Sequence, residues 1–510
     1  MTLDFSTPVQ FLWALAPEAV LAVAAAAVLL ADAFGGGRVR AALPAVTLAG
    51  LAAAGGANLW TLTLRDAIGT GMVAVDAYRV FGTWLVLAGA ALAVCVARDD
   101  LAGERAGHGE FHALVLFAAL GMTAMTAARD LILLFLAFET MSVAAYVLAG
   151  FRRRDVRSAE AGLKYFLLGA FSSAFLLYGV ALVYGAAGTT NLALARLALG
   201  PEPSPLGIAG LALLGVGFAF KVAAVPFHMW APDVYEGAPT SVTAYMAATV
   251  KAAGFVALAR VFAYGFGEWQ PQWESWWRVL ALATMVVPNL VALGQTNVKR
   301  MLAYSSVAHA GYLLVAIAAA NRSGLAAFLF YLVAYTAMTV GAFALVLALA
   351  RERDGRLELA DAAGLGWTRP WSAGLLALFL VSLAGFPPTA GFVAKVYVFR
   401  AAWEAGLPDL AIVLALTTVV SYWYYLRVVV EMYMREPAPA PAAPGDGPVP
   451  AAPAARSGLF RAALAVCAAA TILAGVFPQR PLAWADRSVA PVVEPEIGTA
   501  AAGPAQGRVP

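Results

Sequence analysis

Apolar residues in this chain come in runs separated by short polar connections, and about fourteen of these runs reach the roughly 20 residues that an α-helix needs to cross a bilayer. The first six centre on Val23, Gly50, Leu87, Leu120, Glu139 and Phe175, and the seventh holds Lys221. The others centre on Lys251, Val286, Leu313, Tyr335, Pro387, Val419 and Val466. The pattern predicts an all-α polytopic membrane protein. Two of its spans should be discontinuous. In the seventh, Pro226 removes a backbone donor and clashes with the preceding turn; in the twelfth, Pro387-Pro388 stands between Gly385 and Gly391. An offset of five spans is odd, so equivalent helices of two five-helix units would run in opposite directions, which is the condition for an inverted repeat with broken helices at its centre. No residue-level repeat is visible, and the expectation rests on this parity. It divides the chain into residues 1–110 with the first three spans, 111–265 and 266–435 as the two five-helix units, 436–457 as an Ala/Pro-rich linker, and 458–510 as the last span and tail.

Composition agrees. Hydrophobic residues make up 62% of the 510 and charged ones only 12%, with a mean hydropathy of +0.78, far outside the range of a soluble domain. A net charge of +3, with its basic residues spread over short loops, gives no nucleic-acid surface. Cys95 and Cys467 lie in separate apolar segments without metal-ligand spacing, which argues against a zinc or iron-sulfur site. Gly35-Gly36-Gly37 is read as a turn between apolar runs, not as a phosphate loop, so no cofactor is expected on this chain. The first apolar run lacks a basic leader and a small-residue cleavage pattern and is read as a retained helix.

Basic loop residues alternate. Arg38 and Arg40, Arg98 and Arg105, Arg152 to Arg154 with Arg157, Lys299-Arg300, and Arg351, Arg353, Arg356 and Arg369 fall in every second connection. The positive-inside rule then places both termini on the periplasmic side of a bacterial cytoplasmic (inner) membrane.

Four ionisable residues fall near the middle of apolar segments: Glu139, Lys221, Lys251 and Lys395. Such residues cost several kcal/mol at bilayer depth and mark ion or proton paths by default. The bland alternative is a set of structural ion pairs. One carboxylate cannot neutralise three lysines, and burial disfavours the charged ammonium, which is the property a proton relay needs. His228 and His309 stand in helices, where a hydrogen-bonded structural role and a relay role both fit. Glu160 and Lys164 are one helical turn apart beside the basic loop, either as a plain surface pair or at the proton entrance. Asp233 and Glu236 are expected in a cytoplasmic turn after the first break.

The stretches FETMSVAAYVLAGF, KVAAVPFHMWAPDVYEGAPTSVTAYMA, NVKRMLAYSSVAHAGYLL and SLAGFPPTAGFVAKVYVF resemble the antiporter-like membrane subunits of complex I, the proton-pumping NADH:quinone oxidoreductase. The resemblance runs from the third or fourth span to the thirteenth. The absence of a long C-terminal lateral helix excludes subunit L, and lysine rather than glutamate at position 395 disfavours subunit M, so the pattern resembles subunit N most. The resemblance implies that Glu139 pairs with Lys221, that Lys251 is the central connecting lysine, and that Lys395 lies toward the exit. It also implies that FMN, iron-sulfur clusters, the NADH site and quinone belong to partner subunits, with sibling antiporter-like subunits beside this chain in the bilayer. Two other classes share these features: a subunit of a multi-subunit cation/proton antiporter, and a membrane scaffold that would tolerate neutral replacement of its buried lysines.

Overall fold

In a computed structural model, the described residues are 2–3, 5, 7–66, 71–100, 108–350, 357–436 and 457–493. The 437–456 part of the expected linker, the last residues of the tail, and Arg105, Arg351, Arg353 and Arg356 lie outside them. Among the described residues, thirteen helices are long and apolar enough to cross a membrane, and a shorter apolar helix forms half of one further, broken span. The spans are α1 (Ala16–Phe34), α2 (Gly37–Thr61), α3 (Ala77–Asp100), α4 (His108–Ala127), α5 (Leu131–Ala149) and α6 (Val156–Ala187). The seventh span is broken into α7a (Pro205–Val222) and α7b (Trp230–Gly237), and α8 covers Thr240–Gly265. Then come α9 (Gln270–Leu293), α10 (Val298–Ala319), α11 (Arg322–Leu349), the broken pair α12a (Pro370–Ala384) and α12b (Ala390–Glu404), α13 (Pro408–Met434) and α14 (Gly458–Val476). All fourteen expected spans are present.

Local sequence explains their ends. Asp130 caps α5 by accepting from the backbone N–H groups of Ile132 and Leu133, Asn297 caps α10, and Asn321 caps α11, each satisfying donors that a helix start leaves free. Ser204 does the same for α7a, with Pro205 at the first helical position, where its missing N–H costs nothing. Helices α8, α10 and α11 are almost entirely buried, whereas α1, α2 and α13 leave most of their apolar residues on the outside. Within a bilayer that outer face meets lipid or neighbouring subunits, whereas the polar groups of α8, α10 and α11 find their partners inside the bundle.

Both breaks occur where the prolines predict them. Helix α7a stops at Val222, Ala223 turns into the left-handed region at φ 60°, and α7b starts only at Trp230. Helix α12a stops at Ala384, Gly385 follows at φ +89°, and α12b starts at Ala390. The freed backbone groups find side chains. Trp230 Nε1 donates to Phe220 O at 3.0 Å and Val225 N donates to Thr284 Oγ1 at 2.9 Å. At the second break Tyr422 donates to Gly385 O at 3.1 Å and Gly391 N to Ser382 Oγ at 3.3 Å. Non-helical backbone is thus tolerated because protein groups satisfy it.

Two features depart from the sequence reading. Asp233 and Glu236 stand in the helix α7b instead of a turn, because Pro232 falls in its first turn, where proline is accepted. A further helix, α15 (Gln479–Val493), follows the last span and lays Ala485, Val489 and Val492 against the bundle, with Trp484 packed on Phe81 of α3 at 4.4 Å between ring centroids.

Candidate functional site: a row of buried amines

The three membrane lysines are buried, with relative exposures of 2% for Lys221, 1% for Lys251 and 4% for Lys395. Each sits over an aromatic ring. Lys221 Nζ is 4.8 Å from the Phe138 centroid, Lys251 Nζ 5.9 Å from that of Tyr235, and Lys395 Nζ 4.8 Å from that of Tyr312. Ring faces attract a desolvated ammonium while leaving its three donors free for hydrogen bonds.

The first cell joins α5, α6 and α7a. Glu139, half-buried on α5, accepts a hydrogen bond from Ser173 of α6. Ser142 lies one turn along α5 from Glu139, donates to Phe138 O at 2.7 Å and accepts from Lys221 Nζ at 2.9 Å. Lys221 thus bonds Ser142 and Glu139 bonds Ser173, and the two charged groups form no direct ion pair. The expected direct pairing is not made: Ser142, three residues on from Glu139 and so on the same side of α5, is the group that takes the amine.

The second cell lies between α8, α10 and α11. Lys251 donates to Ser306 O at 2.8 Å and to Ser306 Oγ at 2.5 Å, and Tyr335 donates to the same hydroxyl at 2.8 Å. One turn along α10 from Ser306 comes His309. Its Nδ1 is 2.7 Å from Tyr331 Oη and its Nε2 3.2 Å from Tyr425 Oη, which also bonds Ser305. One turn further is Tyr312, whose ring covers Lys395. Residues 306, 309 and 312 follow one another at about one turn each along α10, and at 1.5 Å per residue the six-residue step spans about 9 Å. This helix carries a polar row from Lys251 to Lys395.

In the third cell Lys395 crosses the break in its own span. Its Nζ donates to Ala384 O, the last carbonyl of α12a, at 2.8 Å. A cation at a helix C-terminus meets unpaired carbonyls and the negative end of the helix dipole, so α12a provides an acceptor for the ammonium. The first and second cells meet at Gly254, one turn beyond Lys251, where an added Cβ would lie 3.3 Å from Lys221 Cγ.

The secondary candidates divide. His309 is embedded in the row. His228 is half-buried in the first break, and its Nδ1 has no hydrogen-bond partner, so the structure does not join it to the row. Glu160 and Lys164 do form an ion pair at 2.7 Å, but Lys164 also reaches Asp233 at 2.8 Å. Arg300 in turn binds Asp233 at 3.0 Å and Glu236 at 2.5 Å. These charges form a partly exposed network that ties α6 and α10 to the free half-helix α7b.

The sequence reading missed the hydroxyls of Ser142, Ser173, Ser305 and Ser306, although the spacing Ser306, His309, Tyr312 was available as a signal. It also missed two buried ion clusters. Arg79 binds Glu18 at 2.8 Å, and Asp76 is gripped by both guanidinium nitrogens of Arg260 at 2.8 and 2.9 Å and by Arg129 at 3.3 Å. Among the described residues, no group of three or more His, Cys, Asp or Glu gathers in a way that could hold a metal ion.

Residues 128–421 match the family described as NADH:quinone oxidoreductase/Mrp antiporter, transmembrane. The chain is 42% identical over 482 residues to NADH-quinone oxidoreductase subunit N of Trichlorobacter lovleyi, covering 93% of this chain and 96% of that one. It is 47% identical over 430 residues to subunit N 1 of Sorangium cellulosum, covering 81% and 83%. Among solved structures, a chain of respiratory complex I from Thermus thermophilus with bound aureothin matches at 36% identity and TM-score 0.75, covering 92% of this chain and 98% of that one. A chain of the Mrp complex from Dietzia sp. matches at 25% identity and TM-score 0.79, covering 94% and 98%. Fourteen spans, two broken helices and a buried row of amines thus stand on a chain that belongs to the NADH:quinone oxidoreductase/Mrp antiporter transmembrane family and, within it, groups with subunit N of the NADH-quinone oxidoreductases.

Proposed function

We propose that the chain translocates protons across a bacterial cytoplasmic membrane as subunit N of a respiratory complex I. Electron transfer from NADH to quinone, through FMN and iron-sulfur centres on partner subunits, supplies the energy. The observation that carries this reading is the set of buried amines itself: Lys221 and Lys251 each bond a serine hydroxyl, His309 bonds two tyrosines on the helix that runs on toward Lys395, and Lys395 bonds the end of a broken helix. A structural ion pair has no use for such an arrangement, since only one carboxylate accompanies three amines. Glu139 with Lys221 loads the path, Lys251 with Ser306 and His309 carries it along α10, and Lys395 delivers it at the second break. The same reading takes residues 111–265 and 266–435 as two inverted five-helix units and puts both termini in the periplasm, supported by the alternation of basic connections.

Glu139 alone of the four is partly exposed, at mid-helix on the outer side of α5. A carboxylate facing lipid there is costly, so this face suits a sibling membrane subunit. The likeness to the Mrp complex supports a second reading, a cation/proton antiporter subunit, which would use the same row without quinone reductase subunits. The test is NADH-driven proton uptake by inverted membrane vesicles in which Lys251 is replaced by alanine. Loss of uptake with an assembled, NADH-oxidising complex supports the proposal. Unchanged uptake rejects it, and assembly without peripheral electron-transfer subunits selects the antiporter reading.

A further inference from the structure

Helix α8, which carries Lys251, is irregular on both sides of it. Met246–Val250 and Arg260–Gly265 are π-helical turns, and Lys251–Ala259 between them is α-helical. A π turn holds one residue more than an α turn, so it changes which way every following side chain points. Something must fix that rotation, because Lys251 and Gly254 each have only one useful direction: Lys251 toward Ser306, and Gly254 against the stem of Lys221.

We infer that α3 is the splint that sets the rotation of α8, and that Asp76, Tyr78, Gly89 and Asp100 are positioning residues for Lys251. The two helices lie antiparallel, and their contacts run the length of the pair. At one end Asp76, just before α3, holds the guanidinium of Arg260 at 2.8 and 2.9 Å, where the second π turn begins. Two parallel charge-assisted bonds fix orientation as well as distance. Next, Tyr78 Oη donates to the carbonyl of Val256 at 2.9 Å. At Gly89 a Cβ would stand 2.1 Å from Thr249 Oγ1 and 3.0 Å from Thr249 Cβ, so the backbone of α3 touches the first π turn two residues before Lys251. At the far end Asp100, the last residue of α3, accepts from Ser241 N at 3.0 Å and Ser241 Oγ at 2.6 Å, while Arg152 holds its other oxygen at 2.6 Å. Both π turns thus coincide with an α3 contact. Buried close packing of this kind resists rotation, because any turn of α8 meets atoms rather than space.

None of these four residues reaches a lysine in the row, so their effect passes through the direction of Lys251. The inference rests on the proposed role of Lys251, and the experiment separates the two. In membranes carrying the full complex, Gly89→Ala, Gly89→Ala with Thr249→Ala, Tyr78→Phe and Lys251→Ala are compared for assembly, NADH oxidation with an artificial acceptor, and protons taken up per NADH oxidised through quinone. Gly89→Ala is expected to lower the proton yield several-fold, and adding Thr249→Ala, which removes Oγ1 and Cγ2 and leaves only Cβ at 3.0 Å, should restore much of it. Tyr78→Phe keeps the ring, loses one hydroxyl, and is expected to lower the yield without loss of assembly; it decides the matter if Gly89→Ala does not assemble. Normal yield in an assembled Gly89→Ala or Tyr78→Phe complex, with yield lost in Lys251→Ala, overturns the splint and leaves the row standing. Normal yield in Lys251→Ala overturns the row first.

Discussion

Replacing Gly385 by alanine should disable the second break through Lys395, without touching a charged group. Gly385 sits at φ +89°, where an L side chain costs on the order of 1–3 kcal/mol, a strain that falls on the break itself. The added Cβ would also stand 2.9 Å from Lys395 Cδ and 3.4 Å from both Cε and Nζ. The lysine must then swing off Ala384 O, its hydrogen-bond partner at 2.8 Å. Losing a buried hydrogen bond from a charged donor costs about 1.5–3 kcal/mol, which leaves roughly tenfold to a hundredfold less of the docked lysine. The assay is NADH-driven proton uptake by inverted vesicles, with assembly followed on native gels and NADH oxidation measured with an artificial acceptor. Gly385→Ala is expected to lose most of the uptake while the other two readings hold. Combined with Lys395→Ala it should be no worse than Lys395→Ala alone, since both act on one contact. Wild-type uptake in an assembled Gly385→Ala complex would refute the reasoning.

Two other replacements probe the same row. Lys395→Ala should reduce both proton uptake and the coupled quinone reductase rate with assembly intact, whereas Lys395→Glu should keep part of the activity because a carboxylate also carries a proton; equal loss in both variants counts against a relay role for that site. His309→Phe keeps a ring between Tyr331 and Tyr425 but removes both nitrogens, and should cut uptake by roughly a hundredfold or more, within the roughly 10²–10⁴-fold range typical of a lost proton-transfer group. Uptake near the wild-type rate in that variant would make His309 a packing residue only.

Hydropathy and proline placement made the architecture legible. A run of apolar residues of bilayer length has few alternatives to a helix, and Pro226 and Pro387-Pro388 cannot continue one, so spans and breaks appear where expected. The four central charges were legible because each stands well inside an apolar run of bilayer length. Their bonding was not. Nothing in the sequence says that Lys221 bonds Ser142 instead of Glu139, or that Lys395 binds the other half of its own broken span, because both depend on tertiary placement. Arg79 and Arg260 drew no reading from the sequence, yet both are buried in ion clusters whose partners lie 61 and 184 residues away. Helix α15 escaped because its apolar positions, Ala485, Val489 and Val492, fall among prolines and charges that lower the mean hydropathy of the stretch.

The central claim is that Glu139 and Lys221 hand a proton along the row and do not merely hold the bundle together. Proton uptake per NADH oxidised, measured in assembled complexes carrying Glu139→Gln, Lys221→Ala and the two together, tests it most directly. Lys221 bonds Ser142 and Glu139 bonds Ser173, so there is no direct ion pair to relieve and removing the second partner should repair nothing. The relay account predicts that each single replacement abolishes uptake and that the double replacement is no better. Recovery of uptake in the double replacement would contradict it.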